Sequence, residues 1–404
     1  MVDLNNLKFG KINRVADTGF RNKDLTKISK FESISPPSVF IGSKLSYPLV
    51  NVGILSPVGD EENAGIYDDC QTWAKDKYSI SDVVKLRTGL LNSRFQSRVQ
   101  DARMNKKFVE IAKDIAIANK PVDVEIELKD RIASGSRRDQ VVTPHGMRAQ
   151  LKDAKVTSNV KVNRTVDRVI NDDVKATKGI SMLYKNGINE YSLQKILSVG
   201  VMGLKKDKKM VPTRWSITAT DDTISKELQK KVRNYPEITD HQLFFGEFLG
   251  NQYLILLFPG VFSFELFEFY YPGSSWNPTT EFKASHDYEG YAGRTTYASN
   301  CVGGYYATRL PVVEYLDKIK RQASVLAIRL ETPSYWAALG VWVVRESVKK
   351  AMAAGGMRFG DKAEFLEGVK KIGKVKYDFD PQIIYDKSWL LHEAKTQKRL
   401  SDFW

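Results

Sequence analysis

The sequence predicts an α+β fold, a mixed or antiparallel sheet with packed helices, from two observations. Short β-branched and aromatic runs bounded by Pro and Gly occur beside longer segments whose apolar residues recur at helical spacing. The two kinds of segment do not alternate regularly, as they would in a parallel βαβ sheet. Of the 404 residues, 42% are hydrophobic and 27% are charged, which excludes a wholly disordered chain.

The first half of the chain predicts strands on either side of a long basic helix. SPPSVFIGSKLSYPLVNVGILSP (35–57) predicts two strands, and VDVEIEL (122–128) predicts a half-buried strand. Between them, apolar residues at near-helical spacing predict a helix over 79–119. Residues 131–180 carry the weakest pattern, with VNRTVDRVINDDVKA (162–176) partly helical.

The second half begins with a strand predicted at WSITATDD (215–222), which ends in a carboxylate pair, and a helix over 224–235. Turn residues at Gly250-Asn251 and Pro259-Gly260 then predict an antiparallel meander. Its three strands are expected at 243–249, 252–258 and 261–270. A long aromatic, Gly-rich loop (272–305) follows and precedes another helix.

The last predicted elements are a strand at ASVLAIRLE (323–331) and helices over 334–353 and 361–371. Residues 373–404 are charged and poor in aliphatic side chains, which predicts a flexible C-terminal tail that the core does not need. We therefore predict a globular region over 1–372, whose subdomains would divide near 130–210.

The composition indicates an acidic partner. Lys and Arg number 62 against 48 Asp and Glu, a net charge of +14, which favours nucleic-acid contact over a basic surface kept only for solubility. Cys70, Cys301 and the four histidines show no metal-ligand spacing, so we expect no zinc site. No signal sequence or membrane span is visible, which predicts a cytoplasmic protein.

The C-terminal residues QKRLSDFW have the spacing of a peptide that docks on a DNA sliding clamp. One 3₁₀ turn places residues i, i+3 and i+4 on one side, so Leu400, Phe403 and Trp404 would form a single apolar plug. Gln397 lies one turn earlier, where its amide can satisfy polar groups of the clamp. The alternative, a helix that packs on the protein's own core, fits poorly because the aromatic pair follows a charged stretch.

Basic residues along the predicted helix of 79–119 are candidates for phosphate contact, with a solvated helix face as the alternative. They are Lys85, Arg87, Arg94, Arg98, Arg103, Lys106 and Lys107. The loop GYAGRTTYASNCVGGYYATR (290–309) places tyrosines beside Arg294 and Arg309, where bases would stack, although a packed loop explains the same residues. Gly303-Gly304 would let an anion approach a helix N-terminus.

Carboxylates in the apolar second half are candidate Mg²⁺ ligands of a nuclease. N-capping of the next helix explains the pair Asp221-Asp222 better. Arg214, beside a Trp215 expected to pack, and Arg345 are candidates for anion binding or a buried ion pair. The candidate catalytic residues, without an assigned reaction, are Arg214, Asp221, Asp222, Glu265, Glu268, Asp287, Tyr297 and Arg345.

Five stretches resemble the archaeal Nre family of DNA repair proteins. They are SPPSVFIG (35–42), VPTRWSITATDD (211–222), GGYYATRLPVVEYL (303–316), LGVWVVRES (339–347) and QKRLSDFW, and the resemblance runs from about Leu7 to Trp404. It implies repair of DNA damage, with interstrand-crosslink-type lesions as a candidate class, in an archaeal cytoplasm. It also implies binding to the sliding clamp PCNA through Gln397, Leu400, Phe403 and Trp404. The resemblance implies no catalytic residue. Many members begin with a Cys-rich, zinc-finger-like segment, which this sequence lacks, so we expect no zinc-dependent function.

We therefore predict a repair factor that binds PCNA through QKRLSDFW and DNA through a basic surface. The alternative is an enzyme acting on DNA or nucleotides, either a Mg²⁺-dependent nuclease or a nucleotidyl or ADP-ribosyl-type transferase; no other cofactor is assigned. That alternative requires at least three candidate catalytic groups to converge in one cleft. A third hypothesis is a clamp adaptor that never touches DNA.

Overall fold

A computed structural model describes residues 28–59, 62–129 and 141–396. The chain divides at Ile224/Ser225 into two compact units, here called the N unit (described residues up to 224) and the C unit (225 onward). Each unit holds a six-stranded mixed sheet, which confirms the α+β prediction. The division lies beyond the region 130–210 in which a break was expected. No helix in the described ranges is long and apolar enough to cross a membrane.

The N unit has six strands and six complete helices among its described residues. The strands are β1 (Lys30–Ser35), β2 (Val39–Ile41), β3 (Leu49–Ser56), β4 (Leu91–Arg98), β5 (Val122–Leu128) and β6 (Arg148–Val156). The helices are α1 (Cys70–Lys75), α2 (Ile80–Gly89), α3 (Lys107–Ile117), α4 (Arg164–Asn171), α5 (Ala176–Lys185) and α6 (Glu190–Ser198). The division between the units falls within α7 (Thr213–Val232).

The N-unit sheet has the strand order β1-β5-β6-β4-β3-β2, in which only β4 and β6 are parallel neighbours. Alternate residues of β3 form the core face, where Val50, Val52 and Ile54 are buried. Helix α3 covers this face, and the ring of its Phe108 lies 5.4 Å from the ring of Phe95 on β4. The remaining residues of β3 and β4 point to the opposite face.

The prediction of one long helix over 79–119 is wrong in the middle of that range. The structure places α2 at its start, α3 at its end and strand β4 between them. Residues 92, 94, 96 and 98 of β4 are all polar, a period of two that the polar Ser93 and Ser97 between them obscure. Apolar residues at Leu91, Phe95 and Val99 carry a spacing of four that also fits a helix, and this second pattern misled the prediction.

The C unit has six strands, and five helices lie entirely within its described part. The strands are β7 (His241–Phe248), β8 (Asn251–Phe258), β9 (Ser263–Tyr270), β10 (Lys283–Glu289), β11 (Ser324–Glu331) and β12 (Met357–Phe359). The helices are α8 (Gly303–Ile319), α9 (Trp342–Ala353), α10 (Lys362–Tyr377), α11 (Gln382–Tyr385) and α12 (Trp389–Thr396). The strand order is β10-β9-β11-β8-β7-β12.

The predicted antiparallel meander is correct for β7 and β8 but wrong for β9. Strand β11 lies between β8 and β9, antiparallel to β8 and parallel to β9. The turn at Pro259-Gly260 therefore passes over the first residue of β11, where the Ser324 hydroxyl donates to the Val261 carbonyl oxygen (2.9 Å). The short turn between β8 and β9 gives no sign that another strand lies between them. That strand, β11, comes about sixty residues later in the chain.

Two further predictions need correction. WSITATDD (215–222) is part of helix α7, not a strand, and Trp215 is 50% exposed rather than packed. The long loop predicted over 272–305 contains strand β10. In both segments polar and small residues dilute the apolar pattern on which the prediction depended.

Much of the predicted tail belongs to the folded core of the C unit. Tyr377, Phe379, Ile384, Leu390 and Leu391 belong to the buried core on one face of the C-unit sheet. The chain from 373 to 391 therefore contributes to folding, because helices α10, α11 and α12 and the connection between α10 and α11 carry these side chains. Only the final residues of the predicted tail, 397–404, lie outside the described part of the chain.

Candidate nucleic-acid interface

A basic pocket occupies the face of the N-unit sheet that is turned away from α3. In the antiparallel register Phe40 on β2 pairs with Gly53 on β3, and Gly53 pairs with Arg94 on β4. The parallel pairing of β4 with β6 places Asn92 beside Arg148. Because paired residues share a face, the sheet brings these side chains into one wall.

The pocket has a volume of about 470 Å³. Its lining residues are Phe40, Gly42, Ser43, Lys44, Leu45, Asn51, Gly53, Asn92, Arg94, Gln96, His145 and Arg148. Three of them are cations and none is a carboxylate. Neither Lys44 nor Arg94 forms a salt bridge with any residue in the described ranges. The pocket is therefore an electropositive cavity suited to an anion.

His145 lies at the back of this pocket as a neutral imidazole. Burial, reinforced by nearby arginines, lowers its pKa to about 4. Its Nδ1 lies 3.0 Å from the Gly146 carbonyl oxygen and its Nε2 lies 3.3 Å from Nδ2 of Asn92. A neutral ring that donates from Nδ1 accepts at Nε2, so Asn92 donates its amide hydrogen to His145. This bond fixes the orientation of the Asn92 amide.

Gly53 makes room for the Asn92 amide group. A Cβ atom at Gly53 would lie 1.9 Å from Oδ1 of Asn92, a separation that no side chain tolerates. Oδ1 itself has no hydrogen-bond partner among the described residues. A glycine within a strand often marks such a close approach. The pocket thus has a preformed polar wall.

A second cavity in the N unit differs in charge. It has a volume of about 300 Å³ and is lined in part by Asp68, Asp69, Lys120 and Lys195. Asp68 forms ion pairs with Lys195 (2.8 Å) and with Arg87 (2.5 Å), and these cations lower the pKa of the buried carboxyl against the effect of burial. This cavity is balanced in charge and offers no comparable attraction to an anion.

The seven residues predicted to contact DNA do not share one helix. Arg87 is only 3% exposed and donates to the carbonyl oxygens of Tyr67 and Pro144 as well as to Asp68, so it is structural. Lys85 is exposed on α2, and Arg98 is exposed on β4.

The other four differ in their surroundings. Lys106 pairs with Asp101, Lys107 pairs with Asp153, and Arg103 donates to the carbonyl oxygen of Lys206. Of the seven residues, only Arg94 lines the basic pocket.

The candidate catalytic residues are dispersed between the two units. In the N unit, Asp221 is buried in α7 and accepts a hydrogen bond from Gln194 (3.2 Å). Asp222 and Arg214 are half-buried on the same helix, so the pair of aspartates does not cap it. In the C unit, Arg345 is buried within α9, and Tyr297 is 47% exposed.

Asp287 holds the turn that leads into α8. Its carboxylate accepts hydrogen bonds from the backbone N–H groups of Asn300 (3.0 Å) and Cys301 (2.8 Å) and pairs with Arg294 (3.1 Å). The second arginine of the aromatic loop, Arg309, pairs through both oxygens with Glu289 at 2.9 Å. The protein's own carboxylates therefore occupy the positions predicted for a bound anion.

Glu268 belongs to a buried ion cluster formed by Glu268, Arg329, Glu331 and Asn251. Arg329 donates to Glu268 (2.7 Å), to Glu331 (2.9 Å) and to the Asn251 side-chain oxygen (2.9 Å). All four side chains are at most 2% exposed. Burial raises the pKa of Glu331 to about 7, because one arginine serves two carboxylates in an apolar surrounding. Gly304 at the start of α8 packs directly against Glu268.

Glu265 points to the opposite face of β9 and anchors helix α12. It is fully buried and accepts hydrogen bonds from the Ser388 hydroxyl and from the backbone N–H groups of Trp389 (2.9 Å) and Leu390 (3.2 Å). Nε2 of His286 lies 2.7 Å from the same carboxylate. A carboxylate at a helix N-terminus satisfies free N–H groups and interacts favourably with the helix dipole.

The enzyme hypothesis requires the candidate groups to converge in one cleft. Within either unit, the described structure uses the candidate carboxylates as helix caps, turn supports and ion pairs. The described residues also include no group of three or more His, Cys, Asp or Glu side chains arranged to hold a metal ion.

Two family models match the sequence, one described as the N-terminal part of archaeal Nre over residues 12–277 and one as the C-terminal part over 289–403. The chain belongs to the archaeal Nre family. The DNA repair protein NreA of Haloferax volcanii is 39% identical over 334 residues, covering 80% of this chain and 79% of the relative.

Two proteins of Archaeoglobus fulgidus are also similar. The DNA repair protein NreA is 39% identical, with 82% of both chains covered. The DNA repair protein NreB is 34% identical, with 83% and 84% covered. The names of these homologues support a role in DNA repair. No solved structure matches the chain.

In this Nre protein, the predicted clamp-binding residues Gln397, Leu400, Phe403 and Trp404 lie outside the described residues. Several pocket residues were not predicted at all, namely Lys44, His145 and Arg148. The pocket lining comes from three separate stretches of sequence, 40–53, 92–96 and 145–148, and only the sheet brings them together. One usable signal was the polar alternation of β4 together with the isolated Gly53 in an apolar strand.

Proposed function

We propose that this Nre protein acts in DNA repair in an archaeal cytoplasm, binding the sliding clamp PCNA through QKRLSDFW and DNA through the basic face of the N-unit sheet. The spacing of Gln397, Leu400, Phe403 and Trp404 is the observation that carries the proposal. The basic pocket supports the DNA contact, because phosphate neutralisation by Lys and Arg supplies most of the non-specific affinity for DNA.

The clamp motif provides a modest free energy. Burial of the three apolar side chains contributes roughly 1.5–3 kcal/mol each. Ordering a terminal segment costs about 2–5 kcal/mol. Micromolar binding requires about 8 kcal/mol, so backbone hydrogen bonds to the clamp must contribute the remainder. A simultaneous DNA contact would raise the effective affinity further.

Deletion of Gln397–Trp404 is expected to abolish binding to an archaeal PCNA, because the apolar plug and the glutamine are removed together. Calorimetric titration of PCNA into the intact and the truncated protein measures this. Phe403→Ala with Trp404→Ala should reproduce the loss, whereas Lys398→Ala, at a position between the anchors, should have little effect. Equal binding by the intact and the truncated protein would refute the clamp assignment.

Arg94→Gln is expected to weaken binding to a DNA duplex and to reduce the log–log salt slope by about 0.9, since one phosphate contact is lost. Lys107→Gln is the matched comparison, because Lys107 begins α3, the helix on the other face of the sheet, and pairs with Asp153. Fluorescence anisotropy at several salt concentrations measures both variants. If Lys107→Gln lowers the slope and Arg94→Gln does not, the DNA-binding face is wrongly assigned.

The PCNA and duplex titrations together test the clamp-adaptor hypothesis. A clamp adaptor that never touches DNA would bind PCNA normally and show no salt-dependent binding to the duplex. Binding to both partners supports the repair factor proposed here.

A further inference from the structure

We propose that the pocket on the N-unit sheet binds a single nucleotide unit that carries a phosphate. The choice of a nucleotide over another phosphorylated molecule rests on the proposed function. The existence of an anion site rests only on the pocket itself. The ligand would be either a free nucleotide or a nucleotide at the end of a DNA strand, two sources with the same chemistry.

The charge of the pocket indicates that its ligand carries a phosphate group. Lys44, Arg94 and Arg148 line one cavity, and the lining residues that the structure describes include no carboxylate. Lys44 and Arg94 form no salt bridge with any residue in the described ranges, and holding these two cations close together costs electrostatic free energy, which a bound dianion would recover. Arginine suits this task because its planar fork of N–H donors matches the oxygens of a phosphate. Lys44 is exposed at the rim, while the two arginines are half-buried on neighbouring strands.

The size of the pocket indicates a ligand larger than a phosphate ion. A volume of about 470 Å³ falls within the usual range of small-molecule sites, roughly 300–1,000 Å³. Two glycines, Gly42 and Gly53, add no side chain of their own to the lining, and the Asn92 amide occupies the space beside Gly53. An ion alone would leave most of this space unused, whereas a sugar and a base attached to the phosphate would occupy it.

The remaining wall has the chemistry of a base-binding surface. Phe40 and Leu45 supply apolar area, and the Phe40 ring lies 4.9 Å from the ring of His145. Aromatic faces stack on nucleic-acid bases without strong sequence preference. The amides of Asn51, Asn92 and Gln96 provide donors and acceptors for base edges.

The wall is also preorganised. The neutral His145 holds the Asn92 amide in one orientation, and Gly53 leaves the space that this amide occupies. A fixed polar wall costs little conformational entropy when a ligand binds. The structure therefore combines an anion site with a shaped polar surface in one cavity.

Calorimetry on the full-length protein tests the inference with three probes: deoxyadenosine 5′-monophosphate, deoxyadenosine and inorganic phosphate. The nucleotide is expected to bind at least tenfold more tightly than either fragment. Arg94→Gln and Gly53→Ala should each weaken nucleotide binding at least tenfold. Lys230→Gln, an exposed cation of the C unit paired with Glu227, should leave it unchanged. Gly53→Ala places a Cβ in a crowded position and therefore tests folding as well as binding. Arg94→Gln is the decisive variant, and thermal unfolding checks that it is folded.

A second pair of probes separates the two sources. A short hairpin with a 5′-phosphorylated overhang is compared with a closed DNA dumbbell of the same sequence. Tighter binding to the hairpin, lost in Arg94→Gln, assigns the pocket to strand ends. Binding of the mononucleotide without preference for the hairpin assigns it to free nucleotides.

The inference is overturned if neither the mononucleotide nor the phosphorylated end shows binding that depends on Arg94, or if inorganic phosphate binds as tightly as the nucleotide. Salt-dependent binding to the closed dumbbell would then leave the proposed function intact. Conversely, nucleotide binding without any binding to duplex or dumbbell would refute the DNA contact and leave the pocket assignment standing.

Discussion

Replacing Arg329 by Met is expected to lower the free energy of unfolding by about 3–5 kcal/mol, since removing one partner of a buried ion pair leaves the other charge uncompensated. Arg329 is the only cation of the buried ion cluster, and the buried carboxylates of Glu268 and Glu331 would lose their shared counter-charge. The Asn251 side-chain oxygen would also lose its donors. Urea unfolding of the variant and of the unmodified protein measures the difference.

Two controls isolate the cause. Adding Glu268→Gln and Glu331→Gln to Arg329→Met should restore a large part of the stability, because no charge is then left buried. Arg358→Met removes an arginine that is 70% exposed and 4.0 Å from Asp240, and it should change stability by less than about 0.5 kcal/mol. A loss below 1 kcal/mol for Arg329→Met would contradict the burial of the cluster.

The second large effect is a pH dependence centred on Glu331. Its pKa rises from 4.5 to about 7 in the folded protein, so the folded state binds this proton more tightly than the unfolded chain does. The stabilisation from the bound proton is complete below pH 4.5 and is lost as the pH rises through 7. At about 1.4 kcal/mol per pKa unit, the loss amounts to about 3 kcal/mol.

Glu331→Gln removes this titration, so its stability relative to the unmodified protein should increase by about 3 kcal/mol between pH 4.5 and 7.5. Urea unfolding at a series of pH values measures both proteins. Glu32→Gln, at an exposed position of β1, provides the control, and its curve should run parallel to that of the unmodified protein. Parallel curves for Glu331→Gln as well would show that Glu331 is ionised throughout.

The fold class was predictable because the strongest patterns belong to buried strands. β5 and β11 were predicted to within one residue, and each has a clear apolar run or alternation. The helix α7 was missed because polar and small residues dilute its apolar pattern, and the strand β4 was missed because Leu91, Phe95 and Val99 carry a spacing of four that also fits a helix.

The site was predictable only in part. The segment containing Arg94 was recognised as basic, but its partners Lys44 and Arg148 are about fifty residues away on either side. The sequence also singled out Glu265 and Glu268 as unusual in an apolar strand, and both are structural. A buried carboxylate has the same appearance in a sequence whether it binds a metal or caps a helix, because burial and partners are properties of the fold.

The hydrogen bonds from α12 to Glu265 have a consequence for the proposed clamp complex: they limit the distance between a bound clamp and this protein. A flexible segment of 32 residues, as predicted for 373–404, would have a root-mean-square reach of roughly 30 Å. Helix α12 instead runs to Thr396, and Glu265 fixes the N-terminus of this helix to the sheet. The proposed clamp motif therefore follows an anchored helix and not a long flexible segment. A clamp bound at this motif would be held close to the C unit.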